Sequence, residues 1–154
     1  DMKLGLILGK GSRSGRASRQ RFLKNVTGLQ TLTTKVKETY RRRGHLIGLD
    51  GRKLHIRSEH SALNTLLQSA GAVLMKKALV ILDEKLKFRG LKAGQDYEFV
   101  ANVHDEFQIE VEEKYAKDVA EESERAIRTA GEFFEFGCPL SATAKIGETW
   151  AETH

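Results

Sequence analysis

Residues 103–111 read Val103-His104-Asp105-Glu106-Phe107-Gln108-Ile109-Glu110-Val111. Apolar side chains fall on odd positions on both sides of a charged turn. A half-buried β-strand needs that alternation, because successive side chains point to opposite faces. The preceding run, Tyr97-Glu98-Phe99-Val100-Ala101-Asn102-Val103, keeps the same phase. The two runs predict a hairpin joined by His104-Asp105-Glu106, with an imidazole and two carboxylates at its tip. Oxygen ligands on a rigid, open turn suit a hard cation that also holds phosphates. On its own, a charged hairpin tip is more often simply solvated.

Outward from this hairpin, the chain reads as α+β: a small antiparallel sheet covered by helices. Upstream, Ser58 is a plausible N-cap for a long helix ending near Arg89. Its apolar row includes Leu63, Leu66, Leu67, Ala70, Val73, Leu74, Ala78, Ile81, Leu82 and Leu86, and Gly90 stops it. Before it, His45–Arg57 reads as a second hairpin around Asp50-Gly51, a strong turn signal between β-prone flanks. Leu29, Leu32, Val36 and Tyr40 have helical spacing and run into Arg41-Arg42-Arg43 and a terminal Gly44. Cations there complement the helix dipole, and the glycine supplies the stop. Gly9 to Arg16 reads as a flexible basic loop, followed by a helix through Phe22 and Leu23. Downstream, Tyr115, Val119, Ala126, Ile127 and Ala130 mark another helix. Phe133, Phe134 and Phe136 are expected in the core, and Ser141–Ile146 as a last strand. Cys138 is expected buried or inert, and Trp150 in packing.

The chain has 154 residues, 40% hydrophobic, with one proline and one cysteine. That length fits one domain, and residues 1–154 are read as a single, incomplete one. A lone cysteine excludes a disulfide framework. No apolar run approaches the roughly 18 residues of a membrane span, so no membrane partner is expected. The charge is unevenly spread: Asp1–His60 has 15 Lys+Arg against 4 Asp+Glu, and Ser61–His154 has 11 against 17. A basic part beside an acidic part suggests one surface facing a polyanion and another carrying solvated or metal-binding carboxylates.

The stretch from Leu46 to Ala72, L-I-G-L-D-G-R-K-L-H-I-R-S-E-H-S-A-L-N-T-L-L-Q-S-A-G-A, resembles family A (Pol I-like) DNA polymerases, above all those of podophages. In that family a G-R-[RK] hairpin leads into a helix bearing Asn and Gln four residues apart. The V-H-D-E hairpin follows about 35 residues later, and Trp150-Ala151-x-x-His154 resembles the phage enzymes' ending. The likeness spans essentially the whole chain. It implies DNA-templated DNA synthesis on primer-template DNA and dNTP in the cytoplasm of a bacterial host.

The resemblance also implies roles. V-H-D-E would be motif C of the palm. Asp105 would be one of two aspartates holding two Mg²⁺ ions, one lowering the pKa of the primer 3′-hydroxyl and the other neutralising the triphosphate. Glu106 would be an auxiliary carboxylate, and His104 would lie near the primer-terminal phosphate. Asn64 and Gln68 share a helix face, and their amides can donate to purine N3 and pyrimidine O2, which every correct pair presents alike in the minor groove. His60, one turn earlier, would extend that row. Arg52 and Lys53 would contact the DNA backbone. Lys10, Arg13, Arg16 and Arg19 fit either a template track or a solvated helix face.

Motif A, with the other metal-binding aspartate, and motif B, R-x-x-x-K-x-x-x-Y-G, do not occur in these residues. Asp1 falls where the phage-type run after motif B ends. The expectation is therefore the C-terminal part of a polymerase, inactive without an upstream polymerase segment in the same or another polypeptide. A non-catalytic nucleic-acid-binding fragment is the alternative. A metal-dependent nuclease is a distant third, since its carboxylates usually come from more than one turn.

Overall fold

The computed structural model describes residues 2–7 and 9–153. Helices and antiparallel hairpins alternate: α1 (Met2–Ile7), α2 (Ser12–Asn25), α3 (Thr27–Arg43), β1 (His45–Ile47), β2 (Lys53–His55), α4 (Ala62–Phe88), β3 (Tyr97–Val103), β4 (Glu106–Val111), α5 (Ala116–Phe133) and α6 (Trp150–Thr153). Single 3-10 turns, Glu59–Ser61 and Glu113–Tyr115, lead into α4 and α5. The architecture is α+β, with two two-stranded antiparallel sheets, β1-β2 and β3-β4.

The chain forms two compact units, residues 1–47 with 53–66, and residues 48–52 with 67–154. The core of the first consists of Val36, Leu46, Leu54, Ile56 and Ala62, with Tyr40, Leu63 and Leu66 against them. The Asp50-Gly51 turn forms as expected: Leu46 pairs with Leu54, and Gly51 sits at a φ of 81° that favours glycine. Gly44 ends α3 in the left-handed conformation, and its amide donates to the Tyr40 carbonyl at 2.7 Å. The expected loop at 9–16 is helical from Ser12 onward. Helix α2 reaches Asn25 and breaks at Val26, where α3 begins.

The second unit is built on the α4 face bearing Leu74, Met75, Ala78, Leu82 and Leu86. Leu82 and Leu86 are fully enclosed, each burial favouring the fold by about 1.5–3 kcal/mol. Val119, Ala126, Ile127 and Ala130 of α5 and Tyr97 of β3 close this core. The Tyr97 hydroxyl donates to Asp83 Oδ1 at 2.6 Å, and Lys87 Nζ meets Oδ2 at 2.7 Å. These hydrogen bonds, from Lys87 first and Tyr97 second, hold the Asp83 carboxyl below its ordinary range. Burial, then the Asp83 hydrogen bond, raises the Tyr97 phenol.

Several expectations need correction. Residues 59–88 are long and apolar enough to cross a membrane, with mean hydropathy 1.4 over the most apolar window. Within the unit, the buried part of that apolarity is the core face just described. Ser141–Ile146 forms no strand; Leu140 and Ala142 pack onto the core, and the Ala144 amide donates to Glu124 Oε1 of α5 at 2.9 Å. Phe133 is exposed at the end of α5, with the Lys77 ammonium 4.1 Å from its ring centre, and Phe136 is exposed too. Cys138 is exposed, and Trp150 is half exposed.

Candidate functional site

The expected hairpin exists, with a different register. From the open end, Tyr97 faces Val111 and Phe99 faces Ile109. The ladder then slips: Ala101 faces Gln108, Asn102 faces Phe107 and Val103 faces Glu106. Val100 is the extra residue of a β-bulge, which bends and twists the ribbon locally. The turn is therefore the two residues His104-Asp105, and Glu106 belongs to β4. Phe107, Ile109 and Val111 hold β4 against the core. His104 adopts a φ of 54°, costly for a non-glycine residue.

His104 and Asp105 are exposed, and Glu106 is half-buried. Gln108 Nε2 donates to Glu106 Oε1 at 3.4 Å, and the Thr153 hydroxyl of α6 donates to Gln108 Oε1 at 3.3 Å. An ionised carboxylate only accepts hydrogen bonds, so the Gln108 amide nitrogen must face it and the amide oxygen must face Thr153. The sequence pattern did not single out Gln108 or Thr153; the only signal was that Gln108 lies two residues from Glu106 on a strand. Among the described residues no group of three or more His, Cys, Asp or Glu is placed to hold a metal ion.

His60, Asn64 and Gln68 are all exposed, four residues apart where the 3-10 turn passes into α4. That spacing makes one row. Ser58 stands before the turn with extended backbone, and its amide donates to Ser61 Oγ at 3.3 Å. Glu59 is clamped by Arg41 through Nε at 2.7 Å and Nη2 at 2.8 Å, and this hydrogen-bonded pair holds the Glu59 carboxyl below its usual range.

Arg52 and Lys53 sit beside the Asp50-Gly51 turn, both exposed. Lys53 opens β2 opposite Ile47. The Arg52 guanidinium pairs with Asp50, whose Oδ1 also accepts the Arg52 amide at 3.3 Å. Desolvation works to raise the Asp50 pKa, and the Arg52 hydrogen bonds outweigh it and lower it. Any phosphate contact by Arg52 competes with this pair.

Residues 13–152 match the family model of DNA polymerase family A. The whole chain is 38% identical to the DNA-directed DNA polymerases of Enterobacteria phage T3 and Escherichia phage T7, covering 24% of each. DNA polymerase I of Aquifex aeolicus is 30% identical over 97% of the chain, again across about a quarter (26%) of the relative. The chain thus spans about a quarter of the length of the curated relatives it matches. Among solved structures it is similar to the POL domain of Pol1 from M. smegmatis in complex with DNA primer-template and dNTP. That match has a TM-score of 0.72 at 21% identity, covering 82% of this chain and 24% of that one. At that identity the likeness speaks for the fold.

Proposed function

The chain belongs to DNA polymerase family A, and on that footing we propose that it serves DNA-templated DNA synthesis as the part of the enzyme bearing motif C. The observation that carries this reading is the exposed Asp105 carboxylate on a two-residue turn, directly before Glu106 in a strand anchored by the core.

Asp105 and Glu106 are hard oxygen donors, which fits Mg²⁺. They make half of a two-metal site; the other aspartate would come from a polymerase segment carrying motifs A and B. Bound there, the ions would supply charge neutralisation and an acidified primer 3′-hydroxyl. The protein's own part is positional. Gln108 restrains Glu106 by a hydrogen bond to one of its oxygens. His104 sits one residue from Asp105, within reach of the same substrate end. The exposed His60, Asn64 and Gln68 row would test base-pair geometry through minor-groove acceptors common to correct pairs. Lys53 would contact the DNA backbone, and Arg52 would do so after exchanging Asp50 for a phosphate.

Mg²⁺-dependent primer extension tests this reading, using the chain mixed with a polypeptide carrying motifs A and B. Synthesis should appear in the mixture and not with residues 1–154 alone. Asp105→Ala should lower synthesis by at least about a thousandfold, as expected when metal charge stabilisation is removed. DNA binding should change less than about twofold, since one exposed carboxylate adds nothing to phosphate contacts. A sharp fall in binding instead would favour the alternative, a non-catalytic nucleic-acid-binding fragment.

A further inference from the structure

We propose that the groove bounded by α2, α3 and the turn into α4 takes one unpaired base of a single DNA strand, with the neighbouring phosphates on its cationic side chains. The choice of DNA rests on the function proposed for the chain; the groove itself does not.

The groove lies wholly in the first compact unit and holds about 270 Å³. That is just under the size of a pocket for a drug-like ligand, which leaves room for a single base. Helical spacing builds it: Arg19 and Phe22 are three apart on α2, and Leu29, Thr33 and Lys37 are four apart on α3. Leu29, Leu63 and Phe22 give the groove its apolar lining, and Phe22 is 56% exposed. Thr33 offers little polar competition, because its hydroxyl donates back to the Leu29 carbonyl at 2.8 Å.

Charge decides which ligand fits. Arg19 and Lys37 bring positive charge to the lining, with His60 beside them. The one acid lining the groove, Glu59, is already matched by Arg41. The unit as a whole has 14 Lys+Arg against 3 Asp+Glu. An apolar slot with an aromatic ring and basic side chains suits a flat π-system on an anionic backbone. Single-stranded nucleic acid binds in this way, by base–aromatic stacking along a positive groove. A duplex keeps its bases stacked and paired, so it would leave the slot empty. The groove shares His60 with the His60, Asn64 and Gln68 row but takes a different ligand, since that row suits a paired minor groove.

The test is fluorescence anisotropy of the full chain with labelled oligothymidine, the same oligonucleotide with abasic positions, and a blunt duplex. Phe22→Ala and abasic substitution should each weaken single-strand binding about tenfold, and together hardly more than either alone. Duplex binding should stay within about twofold. Lys37→Ala should lower the salt dependence by about 0.7, the share of the one single-strand phosphate that Lys37 neutralises. Thr33→Trp, which fills the slot, should act as Phe22→Ala does; circular dichroism checks that each variant folds. Equal affinity of Phe22→Ala and wild type for oligothymidine, or equal losses for strand and duplex, would overturn the proposal. Asp105→Ala should leave single-strand binding unchanged, so a failed extension assay with intact Phe22-dependent binding removes the catalytic reading and keeps the groove.

Discussion

The two compact units differ more in charge than in secondary structure. Residues 1–47 with 53–66 carry 14 Lys+Arg against 3 Asp+Glu, whereas residues 48–52 with 67–154 carry 12 against 18. In each, some charges of the minority sign are paired locally. Glu59 of the basic unit pairs with Arg41. In the acidic unit Arg89 pairs with Asp118 and Glu122, Arg125 with Glu121 and Glu122, and Lys87 with Asp83. Exposed pairs of this kind add little stability. Their effect is on the field: pairing leaves a net positive excess in one unit and a net negative excess in the other.

The sharpest way to break this comparison is to damage one unit and watch the other. Leu82→Ala removes a fully enclosed side chain from the acidic unit and should cost about 2–5 kcal/mol. Trp150, the only tryptophan, lies in that unit, so its fluorescence should follow the loss in urea. Val36→Ala in the basic core should leave the Trp150 transition in place. A joint shift would merge the two units into one cooperative body.

A smaller effect should separate the two charges. Replacing Arg13, Lys24 and Arg42 by Gln should reduce the slope of duplex affinity against salt by about 0.9 for each phosphate left without its cation. The same change at Lys76, Lys117 and Arg128 in the acidic unit should leave the slope alone. Acid sharpens the contrast further. The Asp83 pKa is lowered in the fold, so its stabilisation is present above its unfolded pKa and is lost as pH falls through the folded value. Urea midpoints between pH 5 and pH 2, read at Trp150, should therefore fall less steeply in Asp83→Asn than in wild type.

The long helix, both hairpins and their glycine stops were legible because each rests on local signals: periodicity, Asp50-Gly51, Gly44 and Gly90. The family likeness rested on Leu46–Ala72 and on Val103–Glu106, and residues 13–152 bear it out. The errors came where the deciding partner was distant. Ser12–Arg16 reads as a loop by its glycine and serines, yet it forms the first turns of α2, which packs against α1 and α3. Residues 141–146 have strand-like alternation, yet their inward side chains and the Ala144 amide found α5. Phe133 looked like core by composition, but its place at the end of α5 turned it to water and Lys77. The slip at Val100 was invisible because each strand alternates correctly on its own.

That slip has a consequence for inheritance. Val100 is 56% exposed and stands opposite no residue of its own in the ladder. Loss of its codon would leave each cross-strand partnership intact and straighten the ribbon that carries Asp105. The aim of the carboxylate is thus written in the number of codons, and substitution at Val100 by a residue other than proline would pass it on unchanged.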